Sequence, residues 1–227
     1  MSGGSLSTVL NLMSTYGISW IFPGNPWSLT SKSPPTATRS SSILYSLFNY
    51  RNIHGLGHVT TSFLSICNES IVHRSASLLP GVYGHGYNFH EYAPVPNIFA
   101  AILVHLLTKI GAVLLSLRYF RWTLSKIVPS PGTGPDLSKA GMEKQTFCAI
   151  GSPVKAGGQK VKASFVYEGS LYGCSAFMGV EAASVILGNE ITPAHVIRGG
   201  ILTPALLGMP YVEKLRNAGV QLLVETL

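Results

Sequence analysis

The segment from Asn97 to Trp122, NIFAAILVHLLTKIGAVLLSLRYFRW, limits the folds open to this chain more than any other. As a helix rising about 1.5 Å per residue, it would reach across the roughly 30 Å hydrocarbon core of a bilayer. Helical spacing divides it in two. Ala101, His105, Thr108, Lys109, Ala112 and Ser116 form one stripe, and large apolar residues, Leu106 and Val113 among them, cover the rest. Lys109, near the middle, would cost about 2.5–3.5 kcal/mol in a span unless it snorkels or is paired. Arg118, Tyr119, Phe120, Arg121, Trp122 and Lys126 then make an aromatic and basic collar of the kind that sits among headgroups. Lys109, Arg118, Tyr119, Arg121, Trp122 and Lys126 are read as membrane-interface anchors. The pattern predicts a helix lying in an interface. A helix covered by a core or a partner, and a true span, are the two other readings that length and composition leave.

The rest of the composition agrees with contact to something apolar. Mean hydropathy is +0.32 and only 11% of the 227 residues are charged, which is greasy for a chain with room for one large or two small domains. The balance is basic, 16 Lys and Arg against 9 Asp and Glu, so an anionic surface is a fitting partner. Nucleic acid is not expected, because the chain has no dense basic run, no zinc-finger spacing and no aromatic-basic sheet motif. Three scattered cysteines, Cys67, Cys148 and Cys174, and no signal-peptide pattern lead to an intracellular expectation, at a lipid droplet or membrane.

Along the chain, SGGSLSTVLNLM predicts a short helix capped by Ser5 or Ser7, and residues 21–42, rich in Pro, Ser and Thr, an irregular connection. HVTTSFLSICNES reads as a β-rich approach to a helix capped by Asn68, and YGHGYNFHEY alternates like a strand. Pro129, Pro131, Gly132, Gly134 and Pro135 forbid helix and mark a boundary. Thr192-Pro193 and Thr203-Pro204 each place a capping hydroxyl before a proline at the first helical position, with a left-handed turn expected at Gly199-Gly200 between them. Gly199, Gly200, Thr203 and Pro204 are therefore read as a structural motif. Together the elements predict an α+β fold: a largely antiparallel sheet from strands near 85–92, 144–151, 159–168 and 220–226, helices near 68–79, 174–187 and 209–218 covering it, and one long apolar helix with expected membrane association.

The candidates for chemistry are thin. GLGHVT, Gly55 to Thr60, starts like a dinucleotide fingerprint, but it lacks the third glycine and a convincing strand before it, so a turn is the expected role. His54 and His58 have zinc-like spacing but are interrupted by Gly55 and Gly57, and His85 and His90 would face opposite sides of one strand; each is read as a hydrogen-bonded structural residue. There is no G-x-S-x-G elbow, and Asp136, the one aspartate, lies in the Pro/Gly loop. Glu181 has apolar neighbours on both sides and is read as hydrogen-bonded, with acid-base work the sharper alternative. No catalytic, cofactor-binding or metal-ligating residue is assigned.

Several segments resemble the C-terminal portion of the saccharopine dehydrogenase-like oxidoreductases, a family that includes the trans-acting enoyl reductases. RGGILTPALLG, Arg198 to Gly208, followed by YVEKLRNAGVQLLVET, is similar to the family's closing Gly-Gly-hydrophobic-x-Thr-Pro segment, helix and strand. SLYGCSAFMGVEAASVIL resembles its Gly-Tyr helix, with Tyr172, Gly173 and Ser175 at matching positions, and PGTGP its Pro-Gly-x-Gly-Pro loop. ESIVHRSASLL resembles its VVRRS helix, with His73 where arginine is usual, and SGGSLST a segment that follows its cofactor domain. The resemblance implies that residues 1–227 are the C-terminal, substrate-side region, with the apolar helix 97–122 inserted and no cofactor domain present. It further implies an NAD(P)-dependent oxidoreductase of lipid or acyl metabolism, glycolipid synthesis included, of which a truncated chain or fragment like this one would be inactive alone. NAD(P) is implied for a full-length relative, and the expected partners are a lipid surface and either a separate cofactor-domain chain or further copies of this one. The alternative is a non-enzymatic scaffold at a lipid droplet or membrane surface.

Overall fold

A computed structural model of the chain describes residues 3–17, 25–30, 42–84, 86–128, 130, 132–134, 143–153, 157–197 and 199–227. The predicted connection over 21–42 lies mostly outside these residues, as do His85, Asp136, Arg198 and the prolines at 129, 131 and 135. The chain divides into two compact units, Met1–His73 with Asn88–Pro135, and Arg74–Tyr87 with Asp136–Leu227.

The first unit contains helices α1 (Gly3–Tyr16) and α2 (Ile43–Phe48), strands β1 (Arg51–Ile53) and β2 (Gly57–Thr61), and the start of α3 (Ser65–Leu78). Strand β3 (Tyr92–Pro94) and helices α5 (Ile98–Ser116) and α6 (Arg118–Ile127) complete it. Strands β1 and β2 form a hairpin with Arg51 opposite Val59 and Ile53 opposite Gly57, and β3 pairs antiparallel to β2 with Thr61 opposite Tyr92. Gly55 and Gly57 take φ of 86° and 79°, so the G-x-G pair serves this hairpin turn. The weakly patterned FNYRNIH, read as no strand, supplies β1.

Three expectations are corrected in this unit. Ser5 and Ser7 lie inside α1, which already begins at Gly3. Helix α3 begins at Ser65, not Asn68, and the Asn68 side chain donates to Glu91 Oε2 at 2.6 Å. The strand predicted over 85–92 shrinks to Tyr92–Pro94 because its backbone donors are spent on side chains of α3: Phe89 N–H donates to His73 Nε2 at 3.1 Å and Glu91 N–H to Glu69 Oε1 at 3.0 Å. His73 is fully buried and stacks on Trp27 with ring centroids 3.8 Å apart. Because its Nε2 accepts from Phe89, its Nδ1 must carry the proton that meets the Pro26 carbonyl at 3.0 Å, which fixes one neutral tautomer.

The second unit holds a second antiparallel sheet, so among the described residues the single predicted sheet is two sheets of three strands each. Strand β4 (Lys144–Gly151) pairs with β5 (Val161–Glu168), and β5 with β6 (Gln221–Thr226), leaving β4 and β6 at the edges. Helices α7 (Leu171–Ile186) and α9 (Gly208–Asn217) enclose a core of Val185, Leu207, Tyr211, Leu215 and Val220, against which Phe165, Tyr167 and Leu222 of the sheet pack. Ser170 caps α7 by accepting from Gly173 N at 3.0 Å. The preceding Gly169 has φ 146°, and a Cβ there would stand 2.7 Å from the Tyr167 ring, so only glycine fits the turn between β5 and α7. Short helices α4 (Pro80–Tyr83) and α8 (Pro193–Ile197) complete the unit.

Candidate membrane-interface site

Asn97 starts α5 by accepting from Ala100 N at 2.9 Å. The helix stops earlier than the apolar run does. Leu117 is extended, at φ −80° and ψ 124°, and the chain resumes as α6, so the predicted single helix over 97–122 is two. Arg121 closes the break by donating from Nη1 to the carbonyls of Leu115 at 2.9 Å and Ser116 at 2.6 Å, which are left open at the helix end.

The orientation of α5 follows from side-chain size. Its small and polar stripe turns inward: Ala101 and Ala112 are buried, and α5 packs along β2 and against α1 and α2. Thr60 on β2, itself fully buried, donates to Phe48 O at 3.0 Å and lies 3.4 Å from Ala101 O, an approach a larger residue at 101 would block. On the same stripe, His105 Nδ1 pairs with the Thr61 hydroxyl at 2.8 Å. The opposite stripe runs through Phe99, Leu103, Leu106, Ile110, Val113 and Leu117, at alternating spacings of four and three residues. Phe99 is 80% exposed and the other five are 43–58% exposed. Among the described residues, packing covers the inward stripe of α5 and leaves the opposite, bulky stripe largely exposed. Its 19 residues remain long and apolar enough to cross a membrane by length and composition.

The anchors separate into two groups. Lys109 is half-buried, on the inward stripe one turn from His105, so the exposed apolar stripe carries no charge and the insertion cost foreseen for Lys109 does not fall on it. Arg121 is half-buried and committed to the carbonyls of α5. Arg118, Tyr119, Trp122 and Lys126 are exposed on α6. Tyr119, Trp122 and Lys126 share one stripe, with Lys126 Nζ 5.6 Å from the Trp122 ring centre. Helix α2 adds two more exposed apolar side chains one turn apart, Ile43 and Leu47, which the sequence reading did not single out. Nearby, the Arg51 guanidinium lies 4.0 Å over the Tyr45 ring and 5.5 Å from that of Tyr92, a stack that pattern alone could not find because its members come from α2, β1 and β3.

In the second unit the closing motif works differently from its expected form. Gly199 and Gly200 have φ of 101° and 116°. Thr203 makes no cap; its hydroxyl pairs with Ser75 Oγ at 2.8 Å in a buried contact, and Pro204 opens a short 3-10 turn, Pro204–Leu207. Arg74 Nε and Nη2 both donate to Ile201 O, at 3.2 and 2.9 Å. Thr192 likewise gives its hydroxyl to the His195 ring, 2.9 Å away. His58 pairs with the Tyr50 hydroxyl at 2.8 Å, and Glu181 sits partly exposed with Ser184 as its neighbour. Among the described residues no group of three or more His, Cys, Asp or Glu could hold a metal ion.

No family model matches the chain, and no solved structure matches it. Two Mycobacterium tuberculosis proteins, from strains H37Rv and CDC 1551, each named as a trans-acting enoyl reductase, are 30% identical to it over 169 residues. The match covers 68% of this chain and 38% of each relative, so the chain spans well under half the length of the curated relatives it matches. The chain is thus distantly related to the trans-acting enoyl reductases.

Proposed function

We propose that this chain is the substrate-side, lipid-surface-associating half of an NAD(P)-dependent oxidoreductase of lipid or acyl metabolism, on the saccharopine dehydrogenase-like plan, and that it is inactive alone. The distant relation to enoyl reductases supports the chemical class. The observation that carries the lipid-surface role is the uncharged, exposed stripe from Phe99 to Leu117, followed in the chain by the exposed aromatic and basic residues of α6. Such a stripe favours an apolar phase, and Arg118 and Lys126 favour anionic headgroups, at a lipid droplet or a membrane, by about 1 kcal/mol each. The dinucleotide belongs to another segment or chain. Gly55 and Gly57 turn a hairpin and do not lead into a helix N-terminus, so this pair does not form the pyrophosphate cradle of a dinucleotide fingerprint and no step is assigned to it.

The test is a titration and a fusion. Calorimetry of the purified chain with NADH and NADPH should show no saturable binding, and a 2-enoyl thioester should not be reduced in its presence. Micromolar cofactor binding or turnover by the chain alone would overturn the reading. Fusion to the part of an M. tuberculosis relative that this chain does not match should yield reductase activity. A fusion that is folded and binds cofactor yet is inert would favour the non-enzymatic scaffold.

A further inference from the structure

We infer that the β6 edge of the second sheet is an interface between two copies of this chain, paired antiparallel across a two-fold axis at Leu223. The inference is independent of the lipid-surface reading. Edge strands normally carry lysine, proline or a bulge that discourages pairing. Strand β6, Gln221-Leu222-Leu223-Val224-Glu225-Thr226, has neither residue and pairs regularly with β5 along its whole length. The other edge, β4, begins with Lys144 and ends in glycine. Two large side chains of β6 are left in water, Leu223 at 52% and Val224 at 68% exposure.

The occupant follows from the register. In a two-fold antiparallel pair, residues opposite one another share a face, so each pair must match in chemistry. Centring the axis on Leu223 sets Leu222 against Val224 of the second copy, both on the face that packs toward α7 and α9, where Leu222 already meets the core. On the other face Leu223 meets its own copy, and Gln221 meets Glu225, an amide against a carboxylate. Glu225 is already opposite Lys162 on β5, so each row is balanced in charge as Lys162, Glu225 and the second copy's Gln221. Shifting the axis to Val224 would place Leu223 against Glu225, and shifting it to Leu222 would place Leu223 against Gln221. Only the Leu223 register keeps every apolar residue against an apolar one. The result is a continuous sheet of six strands with no free β6 edge.

Cross-linking reads the register directly. In a Cys67→Ser, Cys148→Ser background, which removes the exposed thiols, Leu223→Cys would bring two sulfurs to the axis, where Cα atoms opposite each other lie about 4.5–5.5 Å apart and a disulfide can form. Mild oxidation should link that variant into dimers at least an order of magnitude more completely than Gln221→Cys or Glu225→Cys. The unsubstituted chain should sediment as a dimer, also when Leu106→Glu and Val113→Glu remove the apolar stripe of α5, and Leu223→Lys should sediment as a folded monomer. A monomeric wild type, equal cross-linking at 221 and 223, or a Leu223→Lys dimer would each overturn the inference.

Discussion

Changing Leu106 and Val113 together to Glu separates the readings of α5. The two lie seven residues apart, roughly two turns, on the exposed stripe, with 43% and 44% of their surfaces in water. Full burial of such a side chain is worth about 1.5–3 kcal/mol, so the exposed fraction of each offers about 1 kcal/mol on entering an apolar phase. Two glutamates forfeit that and add repulsion from anionic headgroups of about 1 kcal/mol apiece. The sum, about 4 kcal/mol, corresponds to roughly a thousandfold weaker partition. The cost to folding should stay within about 0.5 kcal/mol per site, since both positions face solvent and glutamate is a good helix former. In flotation with vesicles of phosphatidylcholine and phosphatidylserine, wild type should rise with the lipid and the double variant should stay behind with an unchanged circular dichroism spectrum. Weaker flotation of wild type in high salt, or on phosphatidylcholine alone, would report Arg118 and Lys126. A double variant that still floats refutes the stripe as the contact, and one that unfolds refutes its exposure. Wild type recovered as a species that ignores vesicles refutes any membrane role for α5. Protease protection of only one flank of α5 in sealed vesicles would replace the interfacial helix with a span.

Three further outcomes test the structure elsewhere. Ser75→Ala and Thr203→Ala should each cost about 1–2 kcal/mol by urea unfolding, and the double variant should cost clearly less than their sum, because both remove the hydrogen bond they share; strict additivity would refute that pairing. His73→Ala should cost about 3 kcal/mol and shift the emission of Trp27, since it removes a fully buried ring together with the acceptor for Phe89 N–H; an unchanged melting curve and spectrum would count against the stack. Burial pushes the phenols of Tyr87 and Tyr92 up to about 12, in Tyr92 against the opposing charge of Arg51. The stability they contribute is full below pH 10 and is lost as pH rises from 10 toward 12, so an ultraviolet titration should show these two of ten tyrosines ionising last, together with alkaline unfolding. Ten phenols titrating together near 10 would refute the burial.

The sequence by itself determined the elements whose pattern is strong and local. Strand β5 alternates along its own length, β4 and β6 are short runs with apolar centres bounded by turn residues, α7 and α9 are built of helix formers between turn residues, and α5 is one long apolar run, so each was legible from nearest neighbours in sequence. The split of Asn97–Trp122 at Leu117 was not, because the arginine that satisfies the open carbonyls of α5 lies in the next helix. Nor was the role of YGHGYNFHEY: its alternation is that of a strand, but Glu69 and His73 on α3 take the backbone donors that a ladder would need. Thr203 shows the same limit, since a hydroxyl before a proline looks like a cap until Ser75, 128 residues away, takes it as a partner. For α5, periodicity defined the two stripes, but which one faced the protein was decided by packing. The inward stripe offers alanines and short polar groups that let β2 approach closely and satisfy Thr60 and Thr61. The bulky stripe cannot approach so closely, and tertiary contact alone left it exposed.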